Sequence, residues 1–469
     1  MELKPGSHIH FMGICGTAMG SLAGLMKEMG YKVTGSDRNV YPPMSTQLQS
    51  LGIEIMQDYK KENLQPRPDL VIVGNVISKH FEEAQALLDS GIPYKSLPEA
   101  MGEFVIEDRE SVVVCGTHGK TTTTSLMAWV LQNSGLEPGF MVGGIPLNFG
   151  QSFAIPKASY FVIEGDEYDT AFFAKVPKFM FYKPKHVILT SIEFDHADIY
   201  ADMEDIRKSF RELMKLIPEN GTLVYHAADP EVVEVARLAN CKTVGYGIQA
   251  GDYQVCERES VVGRNQFAVI KEGLGKVADV AIKFFGEHNT LNALATYALC
   301  DQMGLGQAQI LNGLASFKGV KRRQEHLGSP GGIHVIEDFA HHPTAVALTI
   351  DSIREMSPQG RVIAVFEPRS ATARRKVFQD DFTVSLSRAD MVAVAQAFDQ
   401  SKISESERFS SAEVVEAISE QGKPALVGES PEAIITWVKQ NARCGDTVLI
   451  MSNGGFGGIY QKMLGALAT

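Results

Sequence analysis

The stretch Ser111-Val112-Val113-Val114-Cys115-Gly116-Thr117-His118-Gly119-Lys120-Thr121-Thr122-Thr123-Thr124 decides how this chain is read. Three consecutive valines predict a buried strand, and Gly116 and Gly119 predict a tight turn. Thr122 to Asn133 then predicts a helix that Gly135 is placed to end. A strand, a glycine turn and a helix N-terminus form an anion cradle, because backbone N–H groups converge there and the helix dipole favours negative charge. The candidate contacts to a triphosphate are Gly116, Thr117, His118, Gly119, Lys120, Thr121 and Thr122. Lys120 reaches the outer phosphates, and the Thr121 hydroxyl holds a magnesium ion. The spacing departs from the usual phosphate loop, since two residues rather than four separate the first glycine from Gly-Lys. On this stretch alone, a tight strand–helix turn with an incidental Gly-Lys-Thr is the alternative.

Upstream, His8 to Met12 predicts a strand, followed by Gly13-Ile14-Cys15-Gly16-Thr17-Ala18-Met19-Gly20 and an apolar helix through Met29. A second strand, Lys32 to Thr34, ends in Gly35-Ser36-Asp37. This is a βαβ unit with a glycine turn and an acidic residue near the spacing of a dinucleotide fingerprint, though the glycine order differs. It makes Gly13, Ile14, Gly16, Thr17, Ala18, Met19, Ser36 and Asp37 candidates for holding a nucleotide diphosphate. Asp37 would accept from a ribose hydroxyl, or is simply a turn residue. A further strand over Leu70 to Gly74 keeps this first region α/β.

Downstream of the decisive stretch, Phe161-Val162-Ile163 leads into Glu164-Gly165-Asp166-Glu167-Tyr168-Asp169, four acids within six residues. Carboxylates at a strand's C-terminal end, in the region that carries a phosphate loop, suit magnesium, and Glu164 is the candidate ligand. A solvated acidic loop is the bland alternative. A second strand, His186 to Thr190, ends in Ser191 to Asp198, where His196 is the candidate for a second metal contact. Phe285 to Ala293 opens a long alanine-rich helix. Asn289 and Asn292 share one face of its first turn, beside His288, and suit an adenine edge; N-capping by Asn289 is the other reading.

From Lys318 onward, strand ends recur with polar loops: His334 to Glu337 before Asp338 and His341, Arg361 to Phe366 before Glu367-Pro368-Arg369-Ser370, and Thr447 to Met451 before Ser452-Asn453-Gly454-Gly455. Met391 to Ala395 continues the alternation. The pattern predicts a further α/β domain with a cleft at its sheet's carboxyl edge. Lys321-Arg322-Arg323 either closes over phosphates or is a solvated charge run.

Composition bounds the reading. A chain of 469 residues exceeds one core and suggests roughly two to four domains. A net charge of −12 argues against a nucleic-acid or membrane-surface partner. No apolar run reaches the ~18 residues of a membrane span, and the N-terminus lacks signal-peptide form. The six cysteines are scattered singly, which fits a reducing cytoplasm and small core residues.

Taken in order, these stations resemble the Mur ligase family. The resemblance covers Gly13–Gly20, Gly116–Thr122, Glu164–Asp169, Glu193–Asp198, Gly286–Ala293, Lys321–Arg323, Asp338–Pro343 and Ser452–Gly458. The short Gly-Thr-His-Gly-Lys-Thr loop that breaks the generic rule is that family's own form. The resemblance implies an α/β, three-domain architecture. Residues 1–105 form a Rossmann-like domain for a UDP-sugar, 106–317 a central P-loop domain for ATP, and 318–469 a Rossmann-like domain for the amine substrate. It implies an ATP- and Mg2+-dependent cytoplasmic ligase, a monomer or weak homodimer, that activates UDP-N-acetylmuramate as an acyl phosphate. Lys120, Glu164 and His196 would act at the phosphoryl group, with Thr121, Glu164 and His196 at metal. Arg323, Asp338 and His341 would reach ATP from the third domain. Phe366-Glu367-Pro368-Arg369-Ser370 and the long Ser452–Gly458 loop depart from the alanine-adding members. They point instead to the tripeptide L-alanyl-γ-D-glutamyl-meso-diaminopimelate, used in murein recycling, with Arg369, Ser370, Ser452 and Asn453 as its candidate contacts. L-Alanine as the amine is the alternative within the family. A P-loop switch without ligation and a nicotinamide dehydrogenase are the rivals outside it. The first finds no basic stripe or heptads here, and the second leaves Gly116–Thr122 unused.

Overall fold

A computed structural model describes residues 3–40, 44–195, 199–261 and 263–468, with the side chain of Asp169 likewise outside the description. The chain divides into two compact units. The first holds Met1–Glu193, Met203–Gln254 and Leu294–Phe317, and the second holds Phe194–Asp202, Val255–Ala293 and Lys318–Thr469.

The first unit contains strands of two large sheets and a two-stranded ribbon, Asp169–Ala171 with Ala174–Pro177. In one, five parallel strands run in the order Glu54–Gln57, Lys32–Asp37, His8–Met12, Leu70–Val73, Tyr94–Ser96. His8–Met12 is central, flanked by its successor in sequence on one side and by Leu70–Val73 on the other. The order therefore reverses at its carboxyl end, the crevice where open α/β sheets place ligands. The expected second strand is longer than read, running on through Gly35 to Asp37. A Cβ on Gly35 would lie 2.5 Å from Ile14 Cδ1 and 2.8 Å from the Phe11 carbonyl oxygen, so only glycine lets the strand pass beneath the turn.

The other is ten-stranded, and seven of its strands run Lys242–Gly247, Thr222–His226, Pro184–Leu189, Glu110–Cys115, Tyr160–Gly165, Gly139–Met141, Phe153–Ala154, parallel except for the final pair. Val112, Val113 and Val114 are fully buried, as a strand covered on both faces requires. Their strand lies between the two whose ends carry the acids. Cys115 is in register with Gly165 on one side and Leu189 on the other, which sets Glu164 and Thr190–Glu193 on either side of the Gly116 turn. The helix that follows spans Lys120–Asn133, two residues earlier than read.

In the second unit, Arg264–Lys271 and Gly275–Ile282 form an antiparallel hairpin. A six-stranded sheet runs Glu325–Gly328, His334–Asp338, Thr447–Met451, Val362–Phe366, Met391–Ala395, Ala425–Gly428. All its pairs are parallel except the first. Its strand residues alternate between two cores. Val362, Ala364 and Phe366 join one with the helices Pro343–Met356, Gln379–Leu386 and Ser411–Glu420, while Ile363 and Val365 join the other with Pro431–Asn441 and Ile459–Leu467. Among the described residues no helix is long and apolar enough to cross a membrane. All six cysteines are free, but only Cys115 and Cys300 are buried, so the expectation of six core cysteines holds for two.

Candidate active site

The decisive turn is built by its glycines and its neighbour strand. Gly116 has φ +123°, and a Cβ there would stand 2.3 Å from Thr190 Oγ1. Gly119, at φ +82°, turns the chain into the helix. Thr117 and the Ser191–Glu193 segment lock together. The Thr117 N–H donates to the Ser191 carbonyl at 2.9 Å, and Thr117 Oγ1 accepts from Glu193 N at 2.8 Å. Thr190 Oγ1 donates to the His118 carbonyl at 2.6 Å, and His118 Nε2 lies 3.3 Å from a Glu193 carboxylate oxygen. Lys120, Thr121 and Thr122 open the helix, whose leading N–H groups form the kind of N-terminus that suits an anion.

The acidic strand end is a paired charge cluster rather than a solvated loop. Lys120 Nζ donates to Glu167 at 2.9 Å and to the Gly116 carbonyl at 2.6 Å. Burial opposes its charge, yet the Glu167 and Asp166 carboxylates outweigh burial and hold its pKa above the ordinary lysine value. Lys178 donates to Asp166 at 2.8 Å and to the Tyr168 hydroxyl at 3.1 Å, and it lies 4.1 Å from the Tyr168 ring centroid. Its pair holds Asp166 below the usual carboxylate range despite burial. Glu164 is placed differently. Its oxygens accept from Thr121 Oγ1 at 3.0 Å and Gly143 N at 2.5 Å, both neutral donors, and burial followed by the Asp166 charge raises its pKa. Among the described side chains three carboxylates thus meet two ammonium groups, and the surplus sits on Glu164 beside the Thr121 hydroxyl. A hard divalent cation with oxygen ligands fits that pair.

Sequence reasoning named Lys120, Thr121 and Glu164, and the structure brings the three together. It took Glu167 only as one of four acids and did not single out Lys178 or Thr190, because no spacing rule tells which of several acids will face a given lysine. His196 lies outside the described residues.

At the first glycine turn, the Gly13 and Ile14 N–H groups donate to the Ser36 carbonyl at 2.8 and 3.1 Å, and Cys15 N donates to Asp37 at 2.8 Å. Asp37 also accepts from Asn39 N at 2.9 Å, so its carboxylate holds the turn. Gly16 caps the helix Thr17–Glu28, leaving Thr17, Ala18 and Met19 to present its leading N–H groups. The Ser36 hydroxyl points inward, to Glu83 at 2.8 Å.

In the second unit, Asn289 is inside the helix Glu287–Gln302 rather than at its cap, and donates to the Phe285 carbonyl at 2.8 Å. Asn292 donates to Asn289 Oδ1 at 3.3 Å, and His288 Nε2 lies 3.4 Å from Gln324 Nε2. Asp338 is buried and accepts from Gln324 N and Ala340 N, each at 2.8 Å, with its pKa raised by burial. Arg323 lies 4.7 Å from the Phe339 ring centroid, and His341 Nδ1 lies 2.9 Å from the Phe339 carbonyl oxygen. Arg322, singled out only as part of a charge run, is instead built in. It donates to Glu337 at 2.6 Å and to the carbonyls of Ser452 and Gly454 at 2.9 and 2.6 Å. Ser452 donates to Glu367 at 2.5 Å, and Arg369 lies 3.5 Å from Glu367 with its guanidinium 3.9 Å from the Phe398 centroid. Ser370 Oγ accepts from Ala373 N at 3.0 Å. Asn453 Oδ1 is buried and has no hydrogen-bond partner among the described residues.

A phosphate loop flanked by paired acids, a separate glycine turn at a sheet's switch point, and a further parallel α/β sheet define an α/β nucleotide-binding protein. Known families match accordingly. The Mur ligase family catalytic domain matches residues 8–109, the Mur ligase middle domain 114–300, and the Mur ligase glutamate ligase domain 322–454. The chain belongs to the Mur ligase family and is an ATP-dependent ligase that forms an amide bond. It is 40% identical, over 98% of both chains, to the UDP-N-acetylmuramate–L-alanyl-γ-D-glutamyl-meso-2,6-diaminoheptandioate ligase of Escherichia coli. It is 31% identical, over 97% of its length and 98% of the relative's, to a UDP-N-acetylmuramate–L-alanine ligase of Desulfitobacterium hafniense. The crystal structure of a murein peptide ligase from Psychrobacter arcticus is similar with a TM-score of 0.73, at 36% identity over 99% of both chains.

Proposed function

We propose that the chain joins UDP-N-acetylmuramate to the tripeptide L-alanyl-γ-D-glutamyl-meso-diaminopimelate, with ATP and Mg2+, in the cytoplasm. The observation that carries this reading is 40% identity along 98% of both chains to the ligase of that specificity. The charge arrangement at the phosphate loop supports it.

The muramyl carboxylate attacks the γ-phosphorus of ATP, giving an acyl phosphate and ADP. The free amine of the tripeptide's alanine then adds to the acyl carbon, and phosphate leaves as the amide forms. Phosphoryl transfer asks the protein for positioning and charge neutralisation more than for covalent chemistry. Lys120 supplies an ammonium, kept charged by Glu167, to neutralise the transferring group. The helix N-terminus at Lys120–Thr122 binds the phosphate oxygens. Thr121 and Glu164 would hold Mg2+, which when bound neutralises the phosphate oxygens; His196 is proposed for a second ion. Thr17, Ala18 and Met19 present N–H groups to the UDP diphosphate. His288, Asn289 and Asn292 are proposed at adenine, and Arg323, Asp338 and His341 at ATP. Arg369, Ser370, Ser452 and Asn453 are proposed at the tripeptide, with the Asn453 amide oxygen, unpartnered among the described residues, as a candidate acceptor.

The test offers L-alanine, dipeptide and tripeptide in competition with UDP-N-acetylmuramate and ATP, and identifies products by mass spectrometry. The tripeptide adduct is expected to dominate. Equal kcat/KM for L-alanine would move the chain to the alanine-adding class.

A further inference from the structure

Beneath the first glycine turn lies a polar cluster that the chemistry above does not use. Glu83, in the first turn of the helix Glu82–Ser90, is fully buried, as are His10 and Ser36. One Glu83 carboxylate oxygen lies 2.7 Å from His10 Nε2. The other accepts from Ser36 Oγ at 2.8 Å and from Asn63 Nδ2 at 3.2 Å. His10 Nδ1 in turn lies 2.8 Å from Thr34 Oγ1, which is 2.8 Å from His8 Nε2. One side chain therefore ties together the two strands that border the turn and the helix beyond Leu70–Val73.

A wholly buried carboxylate is a costly way to fill space, since well-packed apolar groups of similar volume do as well or better. What it secures here is Ser36. The Ser36 carbonyl receives the N–H groups of Gly13 and Ile14, and the next residue, Asp37, receives that of Cys15. The lateral position of Ser36 thus sets the path of Gly13–Gly16, and with it the direction of the N–H groups at Thr17, Ala18 and Met19. Ser36 is held on its side-chain face by Glu83.

We infer that Glu83 is a positioning residue for the nucleotide-diphosphate end of the sugar substrate, acting through Ser36 on the Gly13–Gly16 turn without touching the ligand. This rests on the reading of the first domain as the UDP-sugar site.

The test uses the full chain as wild type, Glu83→Ala, Glu83→Gln, Ser36→Ala and the double variant Glu83→Ala/Ser36→Ala. Steady-state kinetics are paired with calorimetric titration by UDP-N-acetylmuramate. Glu83→Ala is expected to raise KM and Kd for UDP-N-acetylmuramate about tenfold or more, the scale of losing buried hydrogen bonds, with KM for ATP within about twofold. Glu83→Gln keeps an acceptor for Ser36 and should return to within about threefold of wild type. The double variant should be no worse than Glu83→Ala, because both changes break one path. An unchanged KM in Glu83→Ala, additive effects in the double variant, or KM for ATP rising in step would overturn the inference. If Glu83→Ala does not fold, Ser36→Ala decides: a selective rise in KM for UDP-N-acetylmuramate supports the path, and none refutes it. Wild type that binds ATP but not UDP-N-acetylmuramate would refute the ligand assigned to the first domain, and the inference with it.

Discussion

Lys120 carries the largest single expectation at the scale of residues. Its ammonium sits between the Glu167 carboxylate and the Gly116 carbonyl, so Lys120→Ala removes the one cation aimed at the phosphate cradle from its own helix. Turnover should fall by at least ~10²–10³, the scale of one preorganised charge contact, as read by ADP release under saturating substrates. Near-normal turnover would take Lys120 out of the chemistry. Glu164→Gln keeps an acceptor oxygen for Gly143 N and offers the Thr121 hydroxyl an amide donor in place of its acceptor, but removes the surplus charge. The Mg2+ concentration for half-maximal rate should rise ~10-fold or more, while the melting temperature stays near that of wild type. Motif reasoning reached both residues because a phosphate loop fixes lysine and threonine by spacing along one chain segment. It could not assign Glu167 to Lys120 or Lys178 to Asp166, since those pairings depend on which side chains meet across a strand end.

Strands show the same division among the elements. Every strand named from a run of apolar residues is present, from His8–Met12 to Thr447–Met451. Those passed over are short or half-polar, such as Ala425–Gly428 and the hairpin Arg264–Lys271 with Gly275–Ile282. Their register comes from partners rather than from local hydrophobicity. The entry to the sheet of the second unit offers a pH test. Asp446, buried before the strand Thr447–Met451, accepts from Arg361 Nη2 at 2.6 Å, Arg361 Nε at 3.1 Å and Arg443 N at 2.8 Å. Burial works against its charge, but these donors prevail and hold its pKa below the ordinary value. The unfolded chain, at ~3.9, therefore takes up the proton first as pH falls. The pair's contribution is complete above that value and is lost as pH drops through the lower folded value. Asp446→Asn should cost about 1–3 kcal/mol at pH 7, and its deficit against wild type should shrink below about pH 4 in chemical denaturation.

For the molecule as a whole, the first unit shows how the sheet of the first glycine turn and the sheet of the phosphate loop are joined. Ser21 Oγ lies 2.7 Å from Ser152 Oγ, and a Cβ on Gly24 would stand 2.3 Å from Phe153 Cζ. The helix Thr17–Glu28, which leads from the Gly13–Gly16 turn, thus packs by its small residues on the edge strand Phe153–Ala154 of the sheet that carries the phosphate loop. Gly24→Val should destabilise this unit by about 1–3 kcal/mol through overpacking. A matching shift of the denaturant midpoint without change in its slope would confirm it. In catalysis, ADP release should require UDP-N-acetylmuramate and tripeptide together. ADP released by ATP alone at the full rate would mean hydrolysis uncoupled from ligation.

The amino-acid sequence by itself determined the strand–turn–helix units and the phosphate loop. It also determined the order of the glycine and acidic stations that mark the family, because each is written in contiguous residues with local periodicity. The tertiary structure alone decided which carboxylate is left over for a cation. It likewise decided that Arg322 is bound to strand ends far along the chain, and that a helical glutamate braces the first turn. Those outcomes depend on electrostatic and steric contacts between segments brought together only by sheet order, and no local pattern records them.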